Sequence, residues 1–344
     1  MNNKLGNYQA LISIKKALDY IFMKQQQNGS WTDFRLVVGE SNEWVTGFIG
    51  FNVARALKFL GADPNENESI MKAHIFIKNS FRDGWGYSEK IITDADSTAN
   101  VSLFLTSLND YSYKEQIIRF IKAHKMEDGG YCTYRYKSIN ENHGLFLNEK
   151  RSSQDFLKSK SFEGWCSSHY TVTCNCLNAL KEYKYLIEEE NIRYLSNVIE
   201  NDISDYWWKD KNYLRMLLVQ CLSDCSQKRS VIKHILNEFK DENAFMRNRL
   251  NAFNSAAGLA SLLSVDDCQD YADVISIGIM NLIKLQNANG SWMPSAYMQV
   301  PERNITYDKL SNNTEQITYA EDINSLFTTS LCLYTIAKYV RIFG

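Results

Sequence analysis

The sequence predicts an all-α protein in which six helical hairpins close into an (α/α)6 toroid, a barrel with an inner and an outer ring of helices. Turns that combine glycine with an aromatic residue recur along the 344 residues. The segments around these turns alternate between amphipathic and more uniformly apolar. Only 3 prolines interrupt the chain, which favours helices. Because the repeat spans the whole sequence, we expect a single domain over residues 1–344.

The turns divide the chain into its repeats. Each contains glycine followed directly or after one residue by tryptophan or tyrosine. They lie at residues 25–31 (QQQNGSW), 82–87 (RDGWGY), 127–131 (EDGGY), 162–165 (FEGW) and 285–292 (LQNANGSW).

Amphipathic segments with apolar residues three and four positions apart predict the six outer helices, which have one solvated face. They begin near Tyr8, Ser69, Lys114, Asn191, Lys228 and Tyr271. Segments that start polar and then become rich in small and apolar residues predict six inner helices, buried on most sides. They span residues 43–60, 96–108, 169–180, 213–222, 250–263 and 322–340.

The closed ring predicts where function lies. Its inner helices run parallel, so their N-termini and unpaired N–H groups meet at one mouth. Polar residues open each inner helix there, although simple helix capping also explains most of them. Two long connections, residues 137–161 and 293–320, are expected to cover the cavity mouth.

Charge and hydropathy restrict the partners. The 38 Lys and Arg against 40 Asp and Glu give a net charge of −2, so we expect no nucleic-acid partner. The sequence shows neither a secretory signal nor an apolar run of roughly 18 residues. We therefore expect a soluble, cytoplasmic protein, while peripheral membrane contact through a surface helix stays open.

The eight cysteines form no CxxC pair and indicate small buried side chains in a reducing compartment. Cys166, His169, Cys174 and Cys176 are four potential zinc ligands, but their spacing matches no common zinc module. Residues 266–270 (DDCQD) resemble a magnesium-binding DDxxD motif, yet they lie at the opposite end of the ring, where helix capping explains them. We expect no metal and no cofactor, and leave open whether the Cys and His set binds metal.

Residues 93–99 read TDADSTA and open the second inner helix directly after a WGY turn. The turns QQQNGSW and LQNANGSW resemble the QW repeats of squalene-hopene and related class II terpene cyclases. The segment DADSTA resembles the Asp-x-Asp-Asp-Thr-Ala motif that holds the catalytic acid of that family. The resemblance implies that Asp96 protonates an alkene or epoxide of a small hydrophobic, isoprenoid-like substrate and that Asp94 supports it. Ser97 departs from the motif, which has a second acidic residue there.

Such a step makes a specific demand on the acid. An alkene is a very poor base, so the donor must be a carboxylic acid that stays protonated in a dry site. Burial and a neighbouring carboxylate raise the pKa of an acid, whereas a helix N-terminus lowers it. We predict that His169, which opens the third inner helix at the same mouth, is a polar partner of Asp96.

The cation formed by protonation needs walls that stabilise it without reacting, and aromatic faces provide them. Trp31, Trp85 and Trp292 belong to the turns and are expected to be scaffold. The predicted substrate-binding residues near the mouth are Trp44, Thr98, Trp165, Trp208, Tyr213 and Phe327.

Two other functions remain open for this fold. One is a zinc-dependent subunit similar to protein prenyltransferases, and the other is a non-catalytic toroid that binds a lipid or a carrier protein. The length of the chain bears on the cavity. The class II cyclases that the sequence resembles have their cavity between two helical barrels, whereas this chain is predicted to form one. The long loops, a homodimer or a partner protein would then complete the cavity.

Overall fold

The computed structural model describes residues 2–136, 162–240 and 251–344, and within them twelve α-helices alternate between two rings. In chain order they are α1 (Asn2–Met23), α2 (Glu43–Phe59), α3 (Glu68–Asn79), α4 (Ala95–Ser107), α5 (Lys114–Lys122), α6 (Tyr170–Glu182), α7 (Glu189–Asn201), α8 (Lys211–Cys221), α9 (Cys225–Lys240), α10 (Ala252–Leu262), α11 (Ala272–Lys284) and α12 (Leu326–Phe343).

The even-numbered helices form the inner ring. Each packs against the next, and α12 closes the ring on α2, while the odd-numbered helices pack outside. Burial follows this arrangement. In α4 every residue but one is buried, whereas α5 buries only three isoleucines. The predicted (α/α)6 toroid is therefore confirmed.

Two predicted helix starts need correction. Helix α1 begins at Asn2 rather than near Tyr8. Helix α12 begins at Leu326 rather than at residue 322, because Ser325 adopts a left-handed conformation with φ 57°. The Asp322 carboxylate accepts the Thr328 N–H at 2.8 Å across this bend, so a side chain caps the helix from outside it.

The tryptophan turns join outer to inner helices by a repeated pattern. The indole N–H groups of Trp31, Trp85 and Trp292 donate to carbonyls of the preceding outer helix at 2.9, 2.9 and 2.7 Å. Their backbone N–H groups donate to threonine hydroxyls in the following inner helix, namely Thr46, Thr98 and Thr329. Each turn thus uses one residue to fix the spacing of its hairpin.

The glycines of two turns pack on the backbone of another outer helix. A Cβ on Gly29 would lie 2.3 Å from the Lys72 carbonyl oxygen of α3, and one on Gly290 would lie 2.1 Å from that of Lys16 in α1. Both residues have positive φ, 92° and 93°. Only glycine permits this conformation and this approach, so these turns link successive hairpins around the ring.

Three antiparallel strand pairs lie on the side where the inner helices begin. They are β1 (Arg35–Leu36) with β2 (Gly39–Glu40), β3 (Tyr131–Cys132) with β4 (Ser168–His169), and β5 (Tyr297–Pro301) with β6 (Ile317–Glu321). The last pair belongs to the second long connection. The first long connection, residues 137–161, lies outside the described residues. Among the helices described, none combines the length and apolarity needed to cross a bilayer.

Candidate active site

A cavity of about 720 Å³ opens at the mouth where the inner helices begin. Small-molecule sites commonly enclose roughly 300 to 1,000 Å³. Its wall combines the start of α2 and α4 with the β1–β2 turn, the segment before α8 and strand β5. Six aromatic residues line it: Trp44, Tyr87, Tyr134, Trp165, Trp207 and Trp208. The described residues of one chain therefore shape an aromatic pocket of ligand size.

Asp94 caps helix α4. Its Oδ1 accepts the Ser97 N–H at 2.7 Å, and its Oδ2 accepts the Ser97 hydroxyl, also at 2.7 Å. Ser97, which replaces the second acid of the resembled motif, thus binds Asp94 through both groups. Burial raises the pKa of Asp94 to about 8 despite these bonds, with smaller contributions from Asp96 and Glu43. Asp94 therefore holds its proton at neutral pH.

Asp96 lies on the cavity wall, in the first turn of α4. Its Oδ1 accepts a hydrogen bond of 2.7 Å from Asn175 Nδ2 of α6. Burial raises the pKa of Asp96 to about 6, and the Asp205 carboxylate raises it further, whereas the Asn175 bond opposes the shift. Asp96 is half-buried, and it lies on the cavity wall.

His169 has other partners than the one predicted for it. Its Nε2 lies 2.9 Å from the Gly164 carbonyl oxygen, and its Nδ1 lies 3.1 Å from the Thr133 hydroxyl. Burial lowers the pKa of His169 to about 3, so the ring is neutral. A carbonyl only accepts, so Nε2 carries the proton. The prediction that His169 is the polar partner of Asp96 is wrong, and within the described residues Asn175 takes that place.

Three of the six predicted substrate-binding residues line the cavity, namely Trp44, Trp165 and Trp208. Wall contacts orient two of the lining tryptophans. Trp165 donates its indole N–H to the Pro301 carbonyl at 2.9 Å, and Trp207 donates to the Thr133 hydroxyl at 3.0 Å. Because these polar groups are satisfied in the wall, the two side chains present apolar ring surface to a ligand.

The other three predicted substrate-binding residues lie outside the described wall of the cavity. The Thr98 hydroxyl is bound to the backbone of Trp85. Tyr213 and Phe327 fill the centre of the ring, where Phe327 stacks on Phe48 with ring centroids 3.6 Å apart. Tyr213 was a candidate because it opens an inner helix, and Phe327 because of its aromatic ring, but both are packed in the core of the toroid.

The second long connection supplies a fixed part of the wall, including Met298, Val300, Glu302 and Arg303. Gln299 N–H donates to the Trp207 carbonyl at 2.8 Å, and Lys209 N–H donates to the Tyr297 carbonyl at 3.1 Å. Sequence reasoning missed Glu302, Arg303 and Asn175. Glu302 and Arg303 lie in a loop that contains no recognisable motif. Asn175 could have been noticed only as a polar residue within an otherwise apolar inner helix.

Potential metal ligands are dispersed over the described residues, where no three His, Cys, Asp or Glu side chains converge to hold an ion. Cys176 Sγ contacts the Ala95 carbonyl at 3.9 Å, and Cys166 packs with Ile92 and Phe162. In the DDxxD-like segment, Asp267 lies 3.5 Å from the Arg229 side chain. Each of these groups therefore has a local structural contact.

Comparisons with known proteins identify solved structures of the same architecture. No protein-family model matches the chain, and no curated protein does. The apo structure of the type II terpene cyclase MstE from Scytonema superposes with a TM-score of 0.77 at 23% identity, covering 96% of this chain and 99% of that one. An MstE variant bound to its substrate, geranylgeranyl dihydroxybenzoate, gives 0.77 at 21% identity with 98% and 99% coverage.

The chain has the fold of a type II terpene cyclase. The match spans nearly all of both chains, so a solved cyclase of this type also consists of one such ring. A heparin-specific unsaturated glucuronyl hydrolase also aligns, at a TM-score of 0.57 and 12% identity. Because the toroid supports unrelated reactions, the fold alone does not determine the function of this chain.

Proposed function

We propose that the protein is a terpene cyclase of the class II type, in which Asp96 starts the cyclisation or rearrangement of an isoprenoid by protonating a carbon–carbon double bond or an epoxide. The observation that carries this proposal is a half-buried carboxyl, with a pKa raised to about 6, on the wall of a tryptophan-lined cavity. The shared fold with MstE supports it.

The geometry suggests how the proton is held. Asn175 donates to Oδ1 of Asp96, so the acidic proton belongs on Oδ2. With a pKa of about 6, about a tenth of the Asp96 side chains are protonated at pH 7. Asp94 remains neutral under these conditions, and its bonds to Ser97 fix the turn that carries Asp96.

Proton transfer from Oδ2 to the terminal alkene carbon leaves a tertiary carbocation, which the next double bond of the chain attacks. The faces of Trp44, Trp165, Trp207 and Trp208 would stabilise the moving positive charge. Loss of a proton from the last cation ends the sequence and yields an isomer of the substrate. In this scheme, all charge stabilisation comes from the chain itself, and no step requires a metal.

The test is turnover of defined polyprenyl compounds. Purified protein is incubated with geranylgeranyl dihydroxybenzoate, which MstE binds as substrate, and separately with geranylgeraniol. Liquid chromatography with mass spectrometry should detect products of unchanged mass and altered retention. Asp96→Asn should abolish them, whereas Asp19→Asn, at an exposed position of α1, should not. Products formed by Asp96→Asn at the native rate would refute the proposal.

A further inference from the structure

The hydroxyl of Thr133, a residue of the cavity wall, contacts a buried histidine. The hydroxyl oxygen lies 3.1 Å from Nδ1 of His169, whose side chain is fully buried. Nε2 of His169 donates its hydrogen to the Gly164 carbonyl at 2.9 Å, so Nδ1 of this neutral ring carries no proton and only accepts. The Thr133 hydroxyl therefore donates its hydrogen to Nδ1.

A second contact determines how the Thr133 oxygen is used. The indole N–H of Trp207 donates to this oxygen at 3.0 Å. A hydroxyl oxygen has two lone pairs, so one is left for a group in the cavity. Thr133 thus has a lone pair that can take a proton from a ligand and a partner that can take its own hydrogen. These are the two properties of a general base that relays a proton.

Two other hydroxyl groups of the wall lack this combination. The Tyr87 hydroxyl lies 3.0 and 3.2 Å from the carbonyls of Phe34 and Gly39, which take up no proton at neutral pH. The Ser97 hydroxyl donates to Asp94, which already holds a proton. The hydroxyl that is bound to an imidazole differs from both, because its partner is an unprotonated nitrogen.

We propose that Thr133 and His169 form the base that ends the reaction, with the Thr133 hydroxyl taking a proton from the final carbocation and passing its own proton to His169. This inference rests on the proposed function. A C–H bond beside the cationic carbon breaks, and its electron pair forms the new double bond. The proton joins the Thr133 oxygen while the former hydroxyl proton moves to Nδ1. The hydroxyl is thereby restored, and an imidazolium remains.

A weak base is sufficient for this step. Burial lowers the pKa of His169 to about 3, but a carbocation with a neighbouring C–H bond is a far stronger acid than an imidazolium. The low pKa also makes the imidazolium a good proton donor afterwards. Since the pKa of Asp96 is about 6, water that enters the emptied cavity can carry the proton to Asp96. The protein then regains its starting state without net uptake of protons, as an isomerisation requires.

The position of Thr133 beside the proton donor predicts which product forms. The Ala95 N–H donates to the Thr133 carbonyl at 3.1 Å, and both Thr133 and Asp96 line the cavity. Because Asp96 protonates the terminal double bond, the first ring forms next to it. A base at this end removes a proton from that ring, either directly after the first closure or after hydride and methyl shifts return the charge to it. The new double bond should therefore lie in or on the ring that forms first.

Product structure tests this inference. The protein is incubated in deuterium oxide with geranylgeranyl dihydroxybenzoate and with geranylgeraniol, and the products are analysed by NMR spectroscopy. Deuterium delivered by Asp96 marks the ring that forms first, and the new double bond should lie in or on the same ring. Thr133→Val removes the hydroxyl, while the Trp207 N–H keeps a partner in His169 Nδ1, 3.3 Å away. In this variant the native double-bond isomer should decrease about tenfold or more relative to other isomers and water-trapped alcohols.

Two further variants separate the hydroxyl group from packing. Thr133→Ser keeps the hydroxyl and should restore the native product ratio. Thr106→Val is the matched control and should also give the native ratio. Thr106 is as buried as Thr133 but lies at the other end of α4 from Asp96, where its hydroxyl donates to the Leu103 carbonyl at 3.1 Å.

The protonation of His169 can be measured without turnover. Nitrogen NMR of protein containing isotope-labelled histidine, with His169 assigned from His169→Gln, should show a proton on Nε2 and none on Nδ1. A proton on Nδ1 would overturn the inference and leave the proposed function intact. The same holds for a double bond confined to an unlabelled ring, an unchanged product ratio in Thr133→Val, or an equal change in Thr133→Ser. Absence of any cyclised product from the native protein would refute the proposed function, and this inference with it.

Discussion

Asp96 and Asp94 show at the scale of single residues how burial opposes a helix N-terminus. The positive end of the helix dipole and the backbone N–H groups favour a carboxylate. Asp94 even accepts two hydrogen bonds of 2.7 Å from Ser97. Burial nevertheless raises the pKa of both side chains, to about 8 and about 6. Desolvation therefore outweighs the dipole at this site, as alkene protonation requires.

Asn175 should tune the acid, and its removal should change the pH dependence of catalysis. A general acid of pKa about 6 loses activity about tenfold per pH unit above that value. The Asn175 bond stabilises the carboxylate and so lowers this pKa. Without this bond Asp96 is a weaker acid and transfers its proton more slowly, so Asn175→Ala should lower kcat on the low-pH plateau about tenfold to a hundredfold. The falling limb of the rate profile should move to higher pH, because the pKa of Asp96 rises.

The matched control is Asn178→Ala, one turn further along α6, where Nδ2 donates to the Leu217 carbonyl at 3.3 Å. Asn178→Ala should leave the falling limb of the pH–rate profile at its native position. If the two variants gave the same profile as the native enzyme, Asn175 would have only a packing role.

The sequence could predict Asp96 but not its surroundings, and the reason is physical. A six-residue motif at a helix start identifies the acid locally. Its donor Asn175 lies 79 residues away and meets it only because α4 and α6 are neighbours in the ring. His169 was predicted for the same place since it opens an inner helix at the same mouth, but the direction of its ring depends on Gly164 and Thr133.

At the scale of elements, periodicity predicted the helices well and the loops poorly. Apolar spacing reports which face of a helix is buried, so all twelve helices of the described residues follow from it. The wall formed by strand β5 and Arg303 depends on contacts with residues about 90 to 140 positions earlier, such as the bond from Trp165 to Pro301. No local pattern encodes such a contact.

Gly29 tests how the turns hold neighbouring hairpins together. Gly29→Ala would combine a left-handed backbone, φ 92°, with a Cβ only 2.3 Å from the Lys72 carbonyl oxygen. Gly39→Ala is the control, because its φ is 109° but its Cβ would meet nothing within 4 Å. We expect Gly39→Ala to lower the free energy of unfolding by about 1 to 3 kcal/mol, from backbone strain alone, and Gly29→Ala to lower it by clearly more.

Urea unfolding followed by circular dichroism measures both values. Equal losses in the two variants would mean that the close approach of this turn to α3 contributes little to the stability of the ring.

At the scale of the whole molecule, the closed ring collects buried carboxyl groups at one mouth. Each of these groups lies at or near the start of an inner helix, and burial is the main cause of its raised pKa. The groups are Asp33, Glu43, Asp94, Asp96, Asp205, Asp210 and Asp322. The N–H groups of the helix starts bind several of them, as Asp33 Oδ2 accepts the Phe327 N–H at 2.6 Å. The toroid therefore provides an environment that raises the pKa of many carboxyl groups, and of these Asp94 and Asp96 line the cavity.

This accumulation of acids should make the protein less stable as the pH rises. A carboxyl whose pKa is raised by folding contributes stability that is complete below its unfolded pKa and is lost as the pH rises through its folded pKa. Asp94 has a folded pKa of about 8, and Glu43 and Asp322 have values of about 7. The melting temperature should therefore fall between pH 6.5 and 8.5, since each pKa unit crossed costs about 1.4 kcal/mol.

The substitution Asp94→Asn isolates the contribution of the Asp94 carboxyl to this decrease in melting temperature. An asparagine can still cap α4 but does not ionise, so the variant should lose less stability than the native protein over this pH range. Asp19→Asn, at an exposed position, should show the native slope. The buried His169 and His124 have folded pKa values of about 3 and about 4, so their linked changes fall mainly below an unfolded value of about 6.5. Calorimetry at several pH values in constant salt measures the slopes. A melting temperature that rises from pH 6.5 to 8.5 would contradict the raised pKa values of these carboxyl groups in the folded protein.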